Sequence, residues 1–566
     1  MPIEAYAIAD GCRWDVSLEF GQTVRARFTN PASHSLRLER IVFSGFAFPG
    51  KGEDLQVYSD GWNTVSAVGT HRYGECDFLG NPKYLQYFLA EPKARQADSP
   101  NHFCAENVLV LRNASAGESL LLGFVTTGDF FNRIEVKIGT EGIQRLEAHV
   151  LGDGIEVASG ENVVSEELLV LHGCVGYVLL EEYASVWGRR MGARLANPIP
   201  VGWCSWYSYF ANLTEGDVLE NLEFFRQHRE EYPIEYFQID DGYQPALGDW
   251  FLPSPRFPHG ILPVLRRIAE SGFKPGIWLA PFRIEVTSRL WQEHPEYMVR
   301  TPEGELFVQD QWREGHGTGL LDVTRPEAQE WLRATFRQFR EAGCRYVKLD
   351  FMAHLCASSN AVFHDRNATR CQIYRRGLQT IRDGLGDDVF LLAGTALPGP
   401  SIGIVDATRV STDITPYWQR GNHIYSEAPA VVNVVRNLIS RHYMHHRLWT
   451  NDPDVLIVRK DNNQLTEDEV KLWTSVLYML GGSFFLTDRM GTLPPERLAL
   501  ARMLLDEPDA FEEMRPVDFF EREIPCIWLG YRRRTRQPVL GFFNLQDEQQ
   551  VIRFPQGKLP CRWCSR

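Results

Sequence analysis

The chain has 566 residues, 44% of them hydrophobic and 23% charged, with 59 Lys and Arg against 73 Asp and Glu for a net charge of −14. This length allows several domains or one large barrel with satellites, and the composition is that of a globular protein. The acidic balance, without any basic cluster, excludes nucleic-acid backbones as partners, and no apolar run approaches the roughly 18 residues of a membrane span.

The first fifteen residues lack the basic start and long apolar stretch of an export signal, so a cytoplasmic protein is expected. Eleven cysteines, an odd number spread thinly, suit reduced thiols better than a disulfide framework. Cys561 and Cys564 form a CxxC with no second ligand pair beside it, and read as two incidental thiols rather than a zinc site. The sequons at Asn113, Asn212 and Asn367 matter only in a secreted protein.

In chain order, residues 1–195 read as a β-sandwich. Aliphatic runs such as Glu106–Leu111 and Leu120–Thr126 are separated by turn clusters at 113–117 and 152–154. The stretch Asn197–Pro200 marks a boundary, because its prolines favour extended chain. From Val201 the pattern changes to short apolar runs alternating with helices. The predicted strands are Val201–Trp206, Tyr236–Ile239, Lys274–Leu279, Tyr346–Leu349, Phe390–Ala393, Ala407–Ser411, Arg447–Trp449 and Ser483–Leu486. Thr214 and Pro326 open intervening helices, and Thr466-x-x-Glu469 is a capping box. Eight βα units imply an α/β fold of the (β/α)8 TIM-barrel type over residues 196–508. Leu320–Leu321 falls in the long connection after the third strand. Residues 509–566 return to short strands, with a hairpin tip at Arg532–Pro538, as a small C-terminal β domain.

The sharpest feature is where the acids fall. Barrel strands run into Asp240 and Asp241, Asp350, Asp413, Asp452 and Asp454, and Asp488. Asp after a strand is also a helix cap or turn former. Several at the C-terminal ends of barrel strands, beside Trp203, Trp206, Trp278 and Trp418, point instead to a sugar site, where carboxylates accept hydroxyl protons and aromatic faces pack on C–H faces. His442, His445 and His446 sit at helical spacing, but no HExxH pattern accompanies them. A helix packing its histidines is the favoured reading over a metal face. No GxSxG elbow and no Gly-rich phosphate loop is present.

TrpCysSerTrpTyr at 203–207, PheGlnIleAspAspGlyTyr at 237–243, GlyIleTrpLeuAlaProPhe at 276–282, LysLeuAspPhe at 348–351, ArgValSerThrAsp at 409–413 and TrpThrAsnAspProAsp at 449–454 together resemble glycoside hydrolase family 36, bacterial α-galactosidases above all. The resemblance implies a retaining enzyme with no cofactor and no metal. It places the nucleophile at Asp350 and the general acid/base at Asp413. It gives substrate-binding positions at Asp240, Asp241, Trp206, Trp278, Lys348, Arg409 and Trp62, and a small carbohydrate of melibiose or raffinose type as substrate. A homo-oligomer is also compatible with it. Lys348 and Asp350 share a strand face, so the ammonium is expected to keep Asp350 ionised. Arg409 is expected roughly 13 Å from Asp413 along an extended strand, too far to compete for its proton, and nearer a sugar hydroxyl or Asp350. One departure stands out. LeuLeuAlaGlyThrAla at 391–396 lacks the Cys that many members carry near the sugar 2-position. This leaves α-N-acetylgalactosamine open as the sugar. Transglycosylation by an α-galactosyl transferase and a non-catalytic sugar-binding protein are also compatible with the same barrel.

Overall fold

The computed structural model describes residues 3–551 except 62, 78–99, 197, 312–315, 357–359 and 420–428. Two antiparallel sheets come first. One has six strands, running from Cys12–Asp15 at one edge through Glu4–Ala9, Leu36–Ser44, Gly142–Val157 and Phe131–Gly139 to His102–Ala105. The other has eight, with Val108–Asn113 and Glu118–Phe124 at its centre. Period-two patterning makes this a sandwich: Val24, Ala26 and Phe28 are buried while their neighbours along the strand are not. Phe43 of one sheet meets Phe124 of the other edge-on, ring centres 6.4 Å apart. The helix Gly176–Met191 then covers the outer face of the second sheet. It packs Leu180, Tyr183 and Trp187 against Val108, Val110 and Leu121 on one side, and against Tyr443, Leu448 and Trp449 of the following domain on the other.

That following domain is the parallel barrel. Its strands are β1 (Val201–Cys204), β2 (Tyr236–Ile239), β3 (Lys274–Leu279), β4 (Tyr346–Leu349), β5 (Phe390–Ala393), β6 (Ala407–Arg409), β7 (Thr450–Asp452), β8 (Val455–Leu456) and β9 (Phe484–Leu486). The ladder order is β7-β6-β5-β4-β3-β2-β1-β9-β8. The ends of this order, β7 and β8, are consecutive in sequence. One strand position is therefore split at Pro453 and Asp454: β7 pairs with β6, and β8 pairs with β9. The chain itself closes the barrel there. The barrel floor is filled from inside by the rings of Tyr236, Tyr346, Phe390 and Phe485, while Trp203, Phe237, Ile277, Val347 and Leu391, on the alternate strand positions, are buried beneath the surrounding helices. Each such side chain contributes roughly 1.5–3 kcal/mol by leaving water.

Four predicted strands are corrected. β1 stops at Cys204 and β6 at Arg409, before the chain turns, and β9 begins at Phe484. The seventh lies at Thr450–Asp452 rather than Arg447–Trp449. Leu448 and Trp449 are apolar because they pack against the sandwich's helix. The strand itself is polar, and Asn451 and Asp452 are held by groups outside it: Trp449 Nε1 donates to Asn451 Oδ1 at 3.1 Å, Asn451 Nδ2 donates to Arg441 O at 3.2 Å, and Arg409 Nε donates to Asp452 Oδ2 at 2.9 Å. Leu320 belongs to a three-stranded antiparallel excursion after β3, formed by Arg283–Glu285, Val308–Gln311 and Gly317–Leu320. The chain ends in a second three-stranded sheet, Phe511–Pro516, Ile527–Arg532 and Pro538–Phe542, with the hairpin tip where the turn residues place it. Phe519 and Phe520 form no strand. They leave that sheet to pack on Tyr58 and Tyr177 of the sandwich side. All nine described cysteines are free, and Cys561 and Cys564 lie outside the described residues. No helix among the described residues is long and apolar enough to cross a membrane.

Candidate active site

The acids predicted at strand ends do converge on the C-terminal mouth of the barrel, but they divide into three groups. The first surrounds Asp350, one residue past β4. Its Oδ2 accepts from the Trp278 indole N–H at 3.3 Å and its Oδ1 from the backbone N–H of Phe351 at 2.8 Å. Phe351 adopts φ +54, so the chain turns sharply away just after the carboxylate. Burial pushes the Asp350 carboxyl up, and the charge of Asp413 adds to this. Lys348, the Phe351 N–H and Arg409 pull the other way. Lys348 thus pulls in the expected direction, but burial and Asp413 outweigh it.

Lys348 Nζ donates to Asp240 Oδ2 at 2.9 Å, forming the second group. That same oxygen accepts from Gln238 Nε2 at 2.7 Å and faces the Cys204 thiol at 3.5 Å, while Oδ1 takes the backbone N–H of Asp241 at 2.9 Å. Asp240 is thus mainly an anchor for Lys348 and for the β2 turn. Asp241 is held by Gln244 Nε2 at 2.7 Å. Both acids are 2% exposed. Trp206 opens the short helix Trp206–Tyr209 and meets Phe210 edge-on.

The third group centres on Arg409. Its guanidinium donates to Asp452 at 2.9 Å, Asp413 at 2.9 Å and Asp454 at 3.0 Å. The expectation that Arg409 lies a strand's length from Asp413 is wrong. β6 ends at Arg409 itself, so the four following residues curl back instead of extending. Arg409 makes no hydrogen bond to Asp350 among those described, though its charge is felt there.

Other expectations fall away from the mouth. Trp203 is fully buried, stacked near Phe237 with its N–H on the Asp488 carbonyl. Asp488 accepts from Val458 N, Arg459 N and the Arg459 guanidinium, and acts as a turn anchor. His442, His445 and His446 follow the helix Val431–Ser440 and do not continue it. They lie before β7, at the opposite end of the barrel. His442 Nε2 bonds the Leu480 carbonyl, and His445 Nδ1 accepts the Asn451 N–H. Arg533 sits 2.8 Å from Asp509, the acid beside His446. A cation already occupies that carboxylate, which disfavours a metal there.

Two contributors had no obvious sequence signal. Tyr207, inside the first motif, donates its hydroxyl to Asp454. A loop of the sandwich, residues 60–66, reaches the barrel. Thr64 Oγ1 donates to Gly394 O at 3.0 Å and accepts from Ala396 N at 3.2 Å, just beyond β5. Trp62 is on this loop and lies outside the described residues.

Residues 196–389 match the family model described as Melibiase. The chain is 33% identical over 140 residues to the myogenesis-regulating glycosidase of Mus musculus, an alignment covering 24% of this chain and 19% of that protein. It is 24% identical over 381 residues to alpha-galactosidase AgaA of Geobacillus stearothermophilus, covering 64% of this chain and 48% of that one. The chain therefore spans less than half the length of these two curated relatives. TtGalA, an alpha-galactosidase from Thermus thermophilus solved in complex with p-nitrophenyl alpha-D-galactopyranoside, shares the fold. Its TM-score is 0.68 at 24% identity, over 93% of this chain and 98% of that one.

Proposed function

We propose, from the match of residues 196–389 to the Melibiase family model, that the protein is a retaining exo-α-galactosidase releasing terminal α-linked galactose from small oligosaccharides of melibiose or raffinose type. The observation that carries this reading is the pair of carboxylates just past β4 and β6, Asp350 and Asp413, each within the other's electrostatic reach. Asp350 is the nucleophile. The indole N–H of Trp278 and the N–H of Phe351 orient its two oxygens. It attacks the anomeric carbon as the bond to the leaving oxygen breaks, and Asp413 passes its proton to that oxygen. Water then attacks the galactosyl ester, Asp413 takes the proton, and Asp350 leaves as carboxylate. Two inversions give net retention. Asp413, with its side chain 58% exposed, is open to both leaving group and water. Asp241, Trp206, Trp278, Lys348 and Arg409 line the sugar site, with Asp240 fixing Lys348, and the family resemblance adds Trp62, which lies outside the described residues. The chemistry needs no cofactor. A cytoplasmic location suits hydrolysis after uptake, and a homo-oligomer fits the same reading.

The relatives' names, the motif order and the strand-end geometry support this reading together. A second sugar, α-N-acetylgalactosamine, is kept open by the absence of a side chain at Gly394, where a Cβ would lie 3.4 Å from Asp350 Oδ1. The test is a pair of rates on aryl α-galactoside and aryl α-N-acetylgalactosaminide. The galactoside is expected to be faster by at least about tenfold, roughly 1.4 kcal/mol in the barrier. Asp350→Ala is expected to lose at least about four orders of magnitude, and added azide to return β-galactosyl azide. Inactivity on both sugars by folded protein, or recovery of the α-azide, rejects the assignment.

A further inference from the structure

Arg409 is a single buried cation, its side chain 4% exposed, shared by three carboxylates. Two of them, Asp452 and Asp454, are as buried as the guanidinium at 4% and 1%, while Asp413 is open to the mouth. Asp452 is also tied to Ser483 at the start of the last strand, away from Asp413. Asp454 is tied to the segment carrying the proposed acid. Its Oδ2 accepts the backbone N–H of Ile414 at 2.9 Å, from the residue directly after Asp413, and also the Tyr207 hydroxyl. Asp454 makes these contacts from φ +79, a left-handed conformation that is strained for a non-glycine residue. The break between β7 and β8 is what delivers its side chain to this spot.

This arrangement meets a problem raised by the mechanism. A general acid must hold its proton when substrate arrives, and the guanidinium 2.9 Å from Asp413 is shared with two buried carboxylates. We propose that Asp454 is the positioning residue that keeps Asp413 able to donate a proton. It takes one arm of Arg409, sets its own negative charge against that cation, and fixes through Ile414 the turn that presents Asp413. This rests on the reading of Asp413 as the acid.

The charges around Asp454 oppose one another. Burial pushes its carboxyl up to about 6, and Asp413 and Asp452 add to that, against Arg409 and Lys348. From the helix after β1, Tyr207 faces both Asp413 and Asp454. From β1, Cys204 feels Asp454 more weakly, and Asp350 faces Asp413 across the mouth. Removing the Asp454 charge therefore leaves Arg409 with less negative charge to offset its pull on Asp413.

The experiment compares Asp454→Asn and Tyr207→Phe with wild type. The second variant removes only a hydroxyl and pushes Asp454 toward its neutral form, so it gives the same effect more weakly and guards against misfolding of the first. The basic limb of kcat/KM is expected to move down by about one pH unit or more in Asp454→Asn, the scale set by a charged neighbour. At neutral pH methyl α-galactoside, whose leaving group needs the proton, is expected to lose at least about tenfold more than p-nitrophenyl α-galactoside. An unmoved limb with equal losses on both substrates overturns the proposal. Infrared difference titration, with Asp413→Asn as the blank, reads the same coupling without turnover. The carboxyl band of position 413 is expected to titrate lower in Asp454→Asn, and a band that stays in place overturns the proposal. A shifted band in a protein that hydrolyses neither substrate supports the coupling and retires the α-galactosidase reading instead.

Discussion

Gly394 shows how little room surrounds the proposed nucleophile. A Cβ there would lie 2.8 Å from Leu349 O and 3.4 Å from Asp350 Oδ1. Leu349 O is itself held by the Gly394 N–H at 2.6 Å, so the backbone cannot retreat without breaking that bond. Gly394→Ala is expected to move the Asp350 carboxylate by a few tenths of an ångström. A 1 Å misplacement costs about a hundredfold in rate, so about tenfold in kcat is expected, together with a lowered unfolding midpoint because the clash with a held backbone oxygen must be relieved. Full activity in this variant would show that the carboxylate tolerates the shift. At this scale the sequence was readable where an acid directly follows a strand, as Asp350 follows β4. It was not readable where a partner depends on how the chain leaves the strand. The contact of Arg409 with Asp413 requires a turn immediately after Arg409, and no residue between them announces one.

Among elements, helix starts were legible and the seventh strand was not. The box at Thr466 forms as its spacing implies: Glu469 N–H donates to Thr466 Oγ1 at 3.2 Å and Thr466 N–H to Glu469 Oε2 at 2.7 Å. The same logic holds at Thr214 with Asp217, and at Thr369 with Gln372, where Arg370 and Cys371 mask the apolar pattern. These signals are local, three residues apart, and need no knowledge of the fold. The strand Thr450–Asp452 is the opposite case. Its polar residues are buried by partners from distant elements, while the apolar neighbours Leu448 and Trp449 serve an inter-domain contact. The helix Glu467–Leu480 covers this seam, with Trp473 donating to the Val455 carbonyl of β8 at 3.4 Å. Thr466→Ala is expected to cost about 1 kcal/mol, read as a lower urea midpoint. KM is expected to stay constant, because the cap lies away from the mouth. A rise in KM would mean that the β7–β8 break transmits the loss to Asp454.

The two large domains are joined by a contact that no sequence pattern could show, since its partners lie nearly 400 positions apart. Arg441, 1% exposed, donates Nε to Asp60 at 3.0 Å, Nη1 to Thr64 O at 2.7 Å and Val410 O at 2.9 Å, and Nη2 to Asn63 O at 2.9 Å. One guanidinium thus satisfies the backbone of the sandwich loop and the chain just past β6. With Arg441 in place, Thr64 can rest on Gly394 and Ala396. The pair is costly to break from one side, because the remaining charge stays buried. Losses of about 3–5 kcal/mol are usual when that happens. Asp60→Asn keeps the shape and removes the countercharge. It is expected to lower global stability toward that range and to loosen the loop before the barrel. Hydrogen exchange separates the two effects. Amides at 61, 64, 66 and 396 are expected to exchange at least about tenfold faster, while those of Phe237 and Val347 in the barrel wall change only as far as global stability does. KM for an α-galactoside is expected to rise more than kcat falls, since the loop rests on Gly394 and Ala396 past β5 and supplies no proposed reacting group. Uniform acceleration across both domains would make Arg441 an ordinary structural pair. Acceleration confined to the loop, together with a raised KM, would make the sandwich part of the substrate site.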